Sequence, residues 1–387
     1  MNKKFFSPSK RSFVEPFRVM QLLSDASLLE KNGKEVFHLE LGEPHSMIPS
    51  LVKKEIKRIL ELNLPGYTPS NGIEELRNAV KKFYSEKYSV EINRDNVFIT
   101  TGSSGAFLLT FLTCFDESKK VGVFNPVYPA YRNILKSLNI DILEIYPDES
   151  DICKIDLRKI EKYKFLDGLI ISNPNNPNGQ VFSDDELNFI YSFCEKNKIY
   201  LILDEIYHGI EYGAKTKSIL NFGPNAIVIN SFSKYFCLPG LRLGWVLIPD
   251  ELKENFLKLS QNLFISSGNL SQYSAIKVFE CLDELDNNVK KYTIARDIVN
   301  EKLSKIKGLK FKKPCGAFYY YLDLSSFKID SEVIVKKILN DTGVVLTPGK
   351  DFDKKFGSKT ARLAFSISNK IVRAGVDKIY DWFSKNY

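Results

Sequence analysis

The sequence predicts an α/β protein built around a parallel sheet. Short β-branched runs bounded by turn residues recur along the chain, and continuous apolar runs of this length are typical of strands buried on both faces of a parallel sheet. Amphipathic stretches separate most of these runs, and the alternation predicts a series of βαβ units. The predicted strands lie at 97–100, 121–124, 169–172, 199–203 and 226–229.

The helix that is best defined by the sequence lies between two of these strands. Ser183 is followed three residues later by Glu186, and such a capping box satisfies two backbone amides at the start of a helix. Apolar residues then recur at spacings of three and four from Leu187 to Cys194. Together these features predict a helix over 184–195.

The pattern changes beyond about residue 285, which indicates a second domain. A long charged helix is followed there by strands around 317–322 and 362–366, with helices between and after them. A chain of 387 residues is also long enough for more than one core. We expect a large α/β domain over residues 45–285. Residues 1–44, which are too few for a domain of their own, would join residues 286–387 in a smaller α+β domain.

Composition excludes several classes of protein. The net charge of +8 comes from 55 basic and 47 acidic residues, and many lysines lie next to acidic residues, so we expect no nucleic-acid partner. Six cysteines without a C-x-x-C pair and three histidines without ligand spacing indicate a cytoplasmic protein with reduced thiols and no metal site. No apolar run approaches about 18 residues, so we expect no membrane span.

Ligands of an open parallel sheet bind beyond the carboxyl ends of its strands, and five segments there are candidates. The first, at 100–106, is a turn of small residues that precedes a helix and includes Ser103 and Ser104. Its free amides and hydroxyls could hold an anion, although a plain helix cap explains it as well. In the second, prolines flank Asn176 and could aim its amide at a ligand, whereas the simpler interpretation is a turn.

The third segment places Asp204 directly after an apolar strand. A carboxylate in that position is costly unless it has a cationic or protonated partner, so it either serves a ligand or forms a structural salt bridge. Tyr207, three residues further on, could face the same place.

The fourth segment contains Lys234, which lies at a strand end between hydroxyl residues. Most lysines lie on the surface, but this one is the best candidate for a reactive amine, and Ser231, Ser233 and Arg242 could hold a phosphate beside it. The fifth contains Arg362 at the start of a late strand. Its guanidinium suits a carboxylate ligand, and the alternative is an ion pair between domains.

One ligand carries every group that these segments could bind: an aldehyde for Lys234, a ring nitrogen for Asp204 and a phosphate for the serines and Arg242. That ligand is pyridoxal 5′-phosphate. From about Leu41 to Ser366 the chain resembles the class I and II aminotransferases of the fold type I pyridoxal-phosphate superfamily. The matching motifs are Ser-Asn-Pro-x-Asn-Pro-x-Gly, Asp-Glu-x-Tyr and Ser-x-Ser-Lys…Pro-Gly-x-Arg-x-Gly. The resemblance implies a mostly parallel seven-stranded sheet between helices, in which 243–248 is the one antiparallel strand.

The resemblance also implies a role for each candidate around the cofactor ring. Lys234 is similar to the lysine that bonds to the cofactor aldehyde and then moves the substrate proton. Asp204 would pair with the ring N–H, and Asn176 and Tyr207 would donate to the ring 3′-oxygen. Tyr128 would stack on the ring. Catalysis would therefore depend on Lys234, Asp204 and Tyr207.

Further residues resemble those that hold the phosphate and the substrate. Tyr67 resembles a tyrosine that reaches the phosphate of the neighbouring subunit, which implies a homodimer with shared active sites. Arg362 would bind the substrate α-carboxylate with help from Gly42 and Asn176. The phosphate cradle would comprise Gly102, Ser103, Ser104, Ser231, Ser233 and Arg242.

The implied activity is transfer of an amino group from an L-amino acid to a 2-oxo acid, with 2-oxoglutarate as the expected acceptor, in a ping-pong reaction. A cysteine-S-conjugate β-lyase shares the same site residues and stays an alternative, as does a catalytically inactive pyridoxal-phosphate-binding protein. Asn178 departs from the family pattern, which more often has threonine there. The aromatic run at 318–321 is interpreted as a core strand rather than a specificity pocket.

Overall fold

The computed structural model describes residues 6–62, 66–213 and 215–387. Its main sheet has seven strands: β2 (Val97–Thr100), β3 (Lys120–Phe124), β4 (Asp141–Ile145), β5 (Gly168–Ser172), β6 (Tyr200–Asp204), β7 (Ala226–Ser231) and β8 (Gly244–Leu247). Their order across the sheet is β2-β8-β7-β6-β5-β3-β4, and β8 is antiparallel to both of its neighbours. The prediction of a mostly parallel seven-stranded sheet with one antiparallel strand is therefore confirmed.

Helices cover both faces of this sheet. Alternate residues of each strand point to opposite faces, so Ile202 and Ile227 pack with one cluster of helices and Leu203 and Val228 with the other. The first face is covered by α4 (Gly102–Cys114), α5 (Pro129–Ser137) and α7 (Asp250–Phe264), and the second by α3 (Glu74–Tyr88) and α6 (Asp184–Asn197). The capping box of Ser183 and Glu186 opens α6 as predicted.

One strand of the main sheet is missing from the prediction. Strand β4 lies at the edge, where its residues are mostly half-buried, and it contains the charged residues Asp141 and Glu144. Its sequence therefore lacks the continuous apolar run that marks a strand buried on both faces. The five strands that the sequence predicts coincide with β2, β3, β5, β6 and β7 to within one or two residues.

A second, smaller group of elements lies after the main sheet. An antiparallel sheet in the order β11-β12-β9 is formed by β9 (Tyr319–Asp323), β11 (Thr347–Pro348) and β12 (Thr360–Ala364). Its helices are α9 (Leu282–Leu303), α10 (Ser331–Thr342) and α11 (Asn369–Asn386). The remaining helices of the chain are α1 (Arg18–Lys31), α2 (Ser50–Leu60) and α8 (Asn269–Ile276).

The amino-terminal residues join this second group. Strand β1 (Phe37–His38) pairs in parallel with β10 (Val344–Val345), and the backbone of Arg18 bonds to the side chain of Asp351. These contacts connect the amino-terminal residues to the carboxyl-terminal part of the chain. The exact limits of the two domains stay a prediction.

The described residues contain neither a membrane-spanning helix nor a candidate metal site. None of their helices is both long enough and apolar enough to span a membrane. They also contain no group of three or more His, Cys, Asp or Glu side chains arranged to hold a metal ion.

Candidate active site

A cavity of about 300 Å³ opens at the edge of the sheet where the parallel strands end. Most of the predicted site residues meet there. They are Gly42, Ser103, Ser104, Tyr128, Asn176, Asp204, Tyr207, Ser233, Lys234, Arg242 and Arg362. Three predicted residues do not line it: Gly102, Ser231 and Tyr67, the last of which is 85% exposed.

The start of α4 forms one end of the cavity. Gly102 has a φ of +71°, and a Cβ atom there would lie 2.6 Å from Nη2 of Arg242. Only a glycine therefore lets the guanidinium lie against the first turn of the helix. Thr101, the N-cap residue, makes no side-chain capping bond, so the first backbone amides are available. Amides at a helix start next to a cation make a binding site for an anion.

The two serines before Lys234 have different positions. Ser231 is fully buried, and its Oγ lies 2.9 Å from Oγ of Ser233 and 3.1 Å from the carbonyl oxygen of Leu243. The backbone N–H of Ser233 also donates to that Oγ, at 3.1 Å. Ser231 thus braces the turn, while Ser233 is the one that lines the cavity.

Asp204 ends β6 inside the cavity and is buried. Its Oδ2 accepts a short hydrogen bond from the hydroxyl of Tyr131, and its Oδ1 accepts one from the N–H of Ile206 at 3.1 Å. Burial raises the pKa of Asp204 to about 6, against the opposing effect of these bonds and of Lys234. Among the described residues no cation forms an ion pair with it, so the salt bridge considered from sequence is not observed.

The protonated partner of Asp204 was not identified from the sequence. Tyr131 belongs to α5, three residues after Tyr128, and its ring contacts the Tyr128 ring at 5.5 Å. Residues three apart share a helix face. That spacing is the signal that could have placed Tyr131 beside Tyr128 in the site.

Lys234 points its amine at the backbone of the amino-terminal segment. Nζ donates to the carbonyl oxygen of Gly42 at 2.6 Å. Burial lowers the pKa of Lys234 to about 8, and the positive charge of Arg362 lowers it further than that of Arg242 does. Arg362 is thus the stronger of its two cationic neighbours.

Arg362 is buried at the other end of the cavity. Its Nη1 donates to Oδ1 of Asn176 at 3.0 Å, its Nη2 donates to the carbonyl oxygen of Glu40 at 2.6 Å, and its buried Nε has no partner. The guanidinium lies 4.4 Å from the ring centre of Tyr319 and 4.7 Å from that of Phe352. It makes no ion pair with a described residue, so an interdomain salt bridge does not account for it.

Tyr319 is a second residue that the sequence did not assign to the site. Its hydroxyl lies 2.8 Å from that of Tyr207, and a Cβ at Gly42 would collide with it at 2.0 Å. Tyr319 is buried in β9 as predicted, but it also lines the cavity. The run therefore forms a core strand as predicted, and one of its residues also faces the cavity. Tyr320 belongs to the same strand, and its hydroxyl donates to the carbonyl oxygen of Arg296.

The amino-terminal segment closes one side of the cavity. Phe17 and Val19 line it, and the Phe17 ring is stacked on Tyr128 with centres 6.3 Å apart. Helix α1 has no local side-chain cap; instead Asp351 accepts the N–H groups of Arg18 and Val19 at 3.0 and 3.2 Å. Nothing in the local sequence of this segment marks these contacts.

The loop that carries Asn176 is fixed by its neighbours. Oδ1 of Asn178 accepts bonds from Nδ2 of Asn175 at 3.0 Å and from the N–H of Gln180 at 3.1 Å. Nδ2 of Asn178 donates to the carbonyl oxygen of Cys153 at 3.0 Å. The asparagine that departs from the family pattern thus stabilises the loop and does not line the cavity.

Comparison with known proteins adds independent findings. A family model described as aminotransferase class I and II matches residues 34–379. The valine–pyruvate aminotransferase of Mycobacterium tuberculosis is 36% identical over 384 residues, covering 96% of this chain and 97% of the relative. The (5-formylfuran-3-yl)methyl phosphate transaminase of Methanocaldococcus jannaschii is 34% identical over 378 residues, covering 96% and 98%. A solved aminotransferase structure from Mycobacterium tuberculosis has a TM-score of 0.91 at 36% identity, covering 98% of this chain and 100% of that one.

Proposed function

Because the chain belongs to the class I and II aminotransferase family and is a pyridoxal-phosphate-dependent aminotransferase, we propose that it moves the amino group of an L-amino acid to 2-oxoglutarate by ping-pong chemistry. One observation carries the assignment of the site. Lys234, Asp204 and Arg362 line the same cavity, and none of the three forms an ion pair with a described residue. Charged side chains that are shielded from water and lack an ion-pair partner are expensive, which favours a ligand that supplies the complementary groups.

The residues around the cavity fit pyridoxal 5′-phosphate. The amides of the first turn of α4, with Ser103, Ser104, Ser233 and Arg242, provide donors for a phosphate. Asp204, which lines the same cavity, provides a carboxylate for a protonated ring nitrogen. When bound, the cofactor supplies an aldehyde and a cationic ring that accepts the electron pair left at the substrate Cα.

We assign Lys234 as the proton carrier. A pKa of about 8 leaves a substantial neutral fraction of its amine near neutral pH, and only the neutral amine can attack the aldehyde or accept the Cα proton. Gly42, whose carbonyl oxygen accepts from Nζ, keeps the amine within the cavity.

Asp204 is assigned to keep the ring nitrogen protonated. For this role its carboxylate must be ionised, and the donors Tyr131 and Ile206 stabilise that form. Tyr207 is assigned as a donor to the ring 3′-oxygen, because it lines the cavity beside Asp204 and its hydroxyl is fixed by Tyr319.

Arg362 is assigned to the α-carboxylate of the substrate. Its guanidinium lies over the rings of Tyr319 and Phe352. Three hydrogen bonds hold its Nη atoms, to Asn176, Glu40 and Thr347, and Nε has no acceptor. A planar, fixed guanidinium recognises a carboxylate with charge-assisted hydrogen bonds. Oδ1 of Asn176 is occupied by Arg362, so its amide group is the part that would donate to the cofactor.

We further propose that the enzyme is a homodimer with shared sites. Tyr67 is 85% exposed, and it lies on a loop that is tied to residues near α8 through Thr68 and Ser267. A large aromatic residue on an ordered, exposed loop suits contact with a second copy of the chain. In that arrangement Tyr67 would reach the partner's phosphate site.

The experiment pairs donors and acceptors with the purified holoenzyme. Valine is the first donor, because the valine–pyruvate aminotransferase is similar to this chain, and aspartate is the acidic comparison. Acceptors are 2-oxoglutarate and pyruvate, which differ by a second carboxylate. We expect product formation that depends strictly on an added oxo acid and gives parallel lines in double-reciprocal plots.

Two results would contradict the proposal. Release of pyruvate and ammonia from cystathionine without an oxo acid, at a rate above that of transamination, would assign β-lyase chemistry to the same residues. A kcat/KM for pyruvate well above that for 2-oxoglutarate would retain the aminotransferase and overturn the proposed acceptor.

A further inference from the structure

The segment that follows β1 bonds through its backbone to two of the cationic side chains that line the cavity. The carbonyl oxygen of Glu40 accepts from Nη2 of Arg362, and that of Gly42 accepts from Nζ of Lys234, each at 2.6 Å. The carbonyl oxygen of Leu39 bonds to the N–H of Ala364 in β12 at 2.7 Å. A small shift of this segment would therefore displace Arg362 and Lys234 together.

The side chain of Glu40 places a carboxylate in the interior at this point. Glu40 has no exposed surface; its Oε1 accepts from Nδ1 of His38 at 2.7 Å, and its Oε2 has no hydrogen-bond partner. His38 is the only described cation within ion-pair distance of it. An uncompensated buried carboxylate is strongly destabilising, so the position of Glu40 depends on His38.

We propose that His38 is a positioning residue for the reaction. Its imidazolium neutralises Glu40 and thereby holds the backbone of residues 40–42 where its carbonyl oxygens accept from Arg362 and Lys234. His38 itself lies outside the cavity and touches no reacting group. It affects substrate binding through the carbonyl oxygens of Glu40 and Gly42, which accept from Arg362 and Lys234.

Other charged groups near His38 do not replace this pair. Helix α1 contributes Glu30, whose carboxylate lies 3.3 Å from Nε2 of His38 and is about half exposed. Lys34, just after α1, donates to the carbonyl oxygen of Asn340, and Lys378 of α11 lies over the ring of Phe37. The bond to Glu40 is the largest cause of the raised pKa of His38, which lies at about 9.

Loss of the imidazolium has a specific consequence for substrate binding. The carboxylate of Glu40 would then be attracted to the cation already bound to its own carbonyl oxygen, which is Arg362. Arg362 has a free Nε and no counter-charge. Glu40 would thus compete with the substrate carboxylate for Arg362. Substrate affinity would fall by a larger factor than the rate of the chemical step.

The test compares H38Q, E40Q and the double variant H38Q/E40Q as holoenzymes, with E30Q as a matched control that removes only the exposed carboxylate. Because the two residues are directly coupled, we expect H38Q to raise KM for the amino donor about tenfold, with a smaller change in kcat. E30Q should stay within about twofold of the parent enzyme. The double variant should recover most of the lost affinity, because no buried charge is left.

A second readout does not depend on catalysis. Because folding raises the pKa of His38 from 6.5 to about 9, its stabilising effect is complete below about pH 6.5 and declines until about pH 9. The melting temperature of the apoenzyme should therefore exceed that of H38Q most at pH 6, and the difference should shrink as the pH rises through 9.

The outcomes separate this inference, which rests on the proposed role of Arg362, from the proposed function itself. An active parent enzyme in which H38Q leaves KM unchanged, or in which E40Q fails to rescue H38Q, would overturn the positioning role. Failure of H38Q to fold while the double variant folds would support it, whereas failure of both would overturn it. An inactive parent enzyme would contradict the proposed function, and the melting series would still decide on the His38–Glu40 pair.

Discussion

The hydroxyl of Tyr131 donates to Oδ2 of Asp204. This hydrogen bond connects α5, on one face of the main sheet, to the end of the central strand β6. Both residues are buried. Burial raises the pKa of Tyr131 well above its usual range, as does the charge of Asp204, so the phenol keeps its proton and remains a donor. The ionised form of Asp204 is therefore stabilised by a neutral donor as well as by the charge of Lys234.

Replacing Tyr131 by phenylalanine should shift the acidic limb of the pH–activity profile to higher pH. The pKa of Asp204 is already raised to about 6, and loss of a donor raises it further, so a higher pH is needed to ionise the carboxylate. A hydrogen bond to a charged group is worth about 1.5–3 kcal/mol, which predicts a loss of at least about tenfold in kcat at pH 6. The control is Tyr146→Phe, which removes a phenol–carboxylate bond to Glu144 outside the cavity. Equal pH profiles for the two variants would rule out this role of Tyr131.

Replacing Lys234 by alanine should abolish turnover and leave the fold intact. General acid–base catalysis contributes about 10²–10⁴-fold, and the variant also loses the amine that attacks the aldehyde, so activity should fall by more than about a thousandfold. Borohydride reduction followed by peptide mass analysis should place the pyridoxyl group on Lys234 in the parent enzyme. Lys253→Ala, at an exposed ion pair with Asp250, is the control. A pyridoxyl label on another amine would contradict the assignment.

The rate of cofactor attachment to the apoenzyme should rise with pH and level off above about pH 8. Only the neutral amine attacks the aldehyde, and the pKa of Lys234 is lowered to about 8. Below that value the neutral fraction falls about tenfold for each pH unit. Stopped-flow absorbance after mixing apoenzyme with pyridoxal 5′-phosphate measures this rate. An attachment rate that still rises at pH 10 would show that the pKa of Lys234 is not lowered.

Replacing Arg362 by lysine should weaken substrate binding although the charge is kept. A lysine cannot hold Asn176, the Glu40 carbonyl oxygen and a substrate carboxylate at once with the planar geometry of a guanidinium. Loss of a bidentate, charge-assisted pair costs about 1.5–3 kcal/mol, which predicts a rise in KM of about 10- to 100-fold. Arg296→Lys is the control, because Arg296 lies over the ring of Tyr212 and does not line the cavity. An unchanged KM in the Arg362 variant would remove it from the carboxylate site.

Replacing Gly102 by alanine should weaken cofactor binding. The added Cβ would lie 2.6 Å from Nη2 of Arg242, and a φ of +71° is strained for alanine, so either the helix start or the guanidinium must move. We expect the dissociation constant of pyridoxal 5′-phosphate to rise about tenfold or more, because charge-assisted bonds to phosphate are lost. Gly240→Ala is a matched control, since no atom lies within 4 Å of its Cβ position. Equal affinities in titrations of the two apoenzymes would contradict the proposed phosphate site.

The strand ends explain how much of the site could be predicted. Asp204 and Lys234 each follow a continuous apolar run, and parallel strands bring such residues to one edge of a sheet. The order and spacing of the motifs then pointed to the residues on loops, among them Asn176. Local sequence was sufficient for these residues because each lies within a few positions of a strand that the apolar pattern identifies.

The residues that were missed reach the site from other elements. Tyr131 lies on a helix, and Tyr319 lies on a strand whose apolar pattern predicts only burial. Their hydroxyls meet Asp204 and Tyr207 across 73 and 112 positions of the chain. Pairings of this kind depend on how elements pack, and the period of a single segment carries no information about them.

The cap that Asp351 places on α1 joins residues 333 positions apart. During synthesis, Val19 therefore leaves the ribosome long before the carboxylate that accepts from its backbone N–H is made. This wall of the cavity can be fixed only after residue 351 has emerged, by which time Lys234 and Asp204 are already part of the chain.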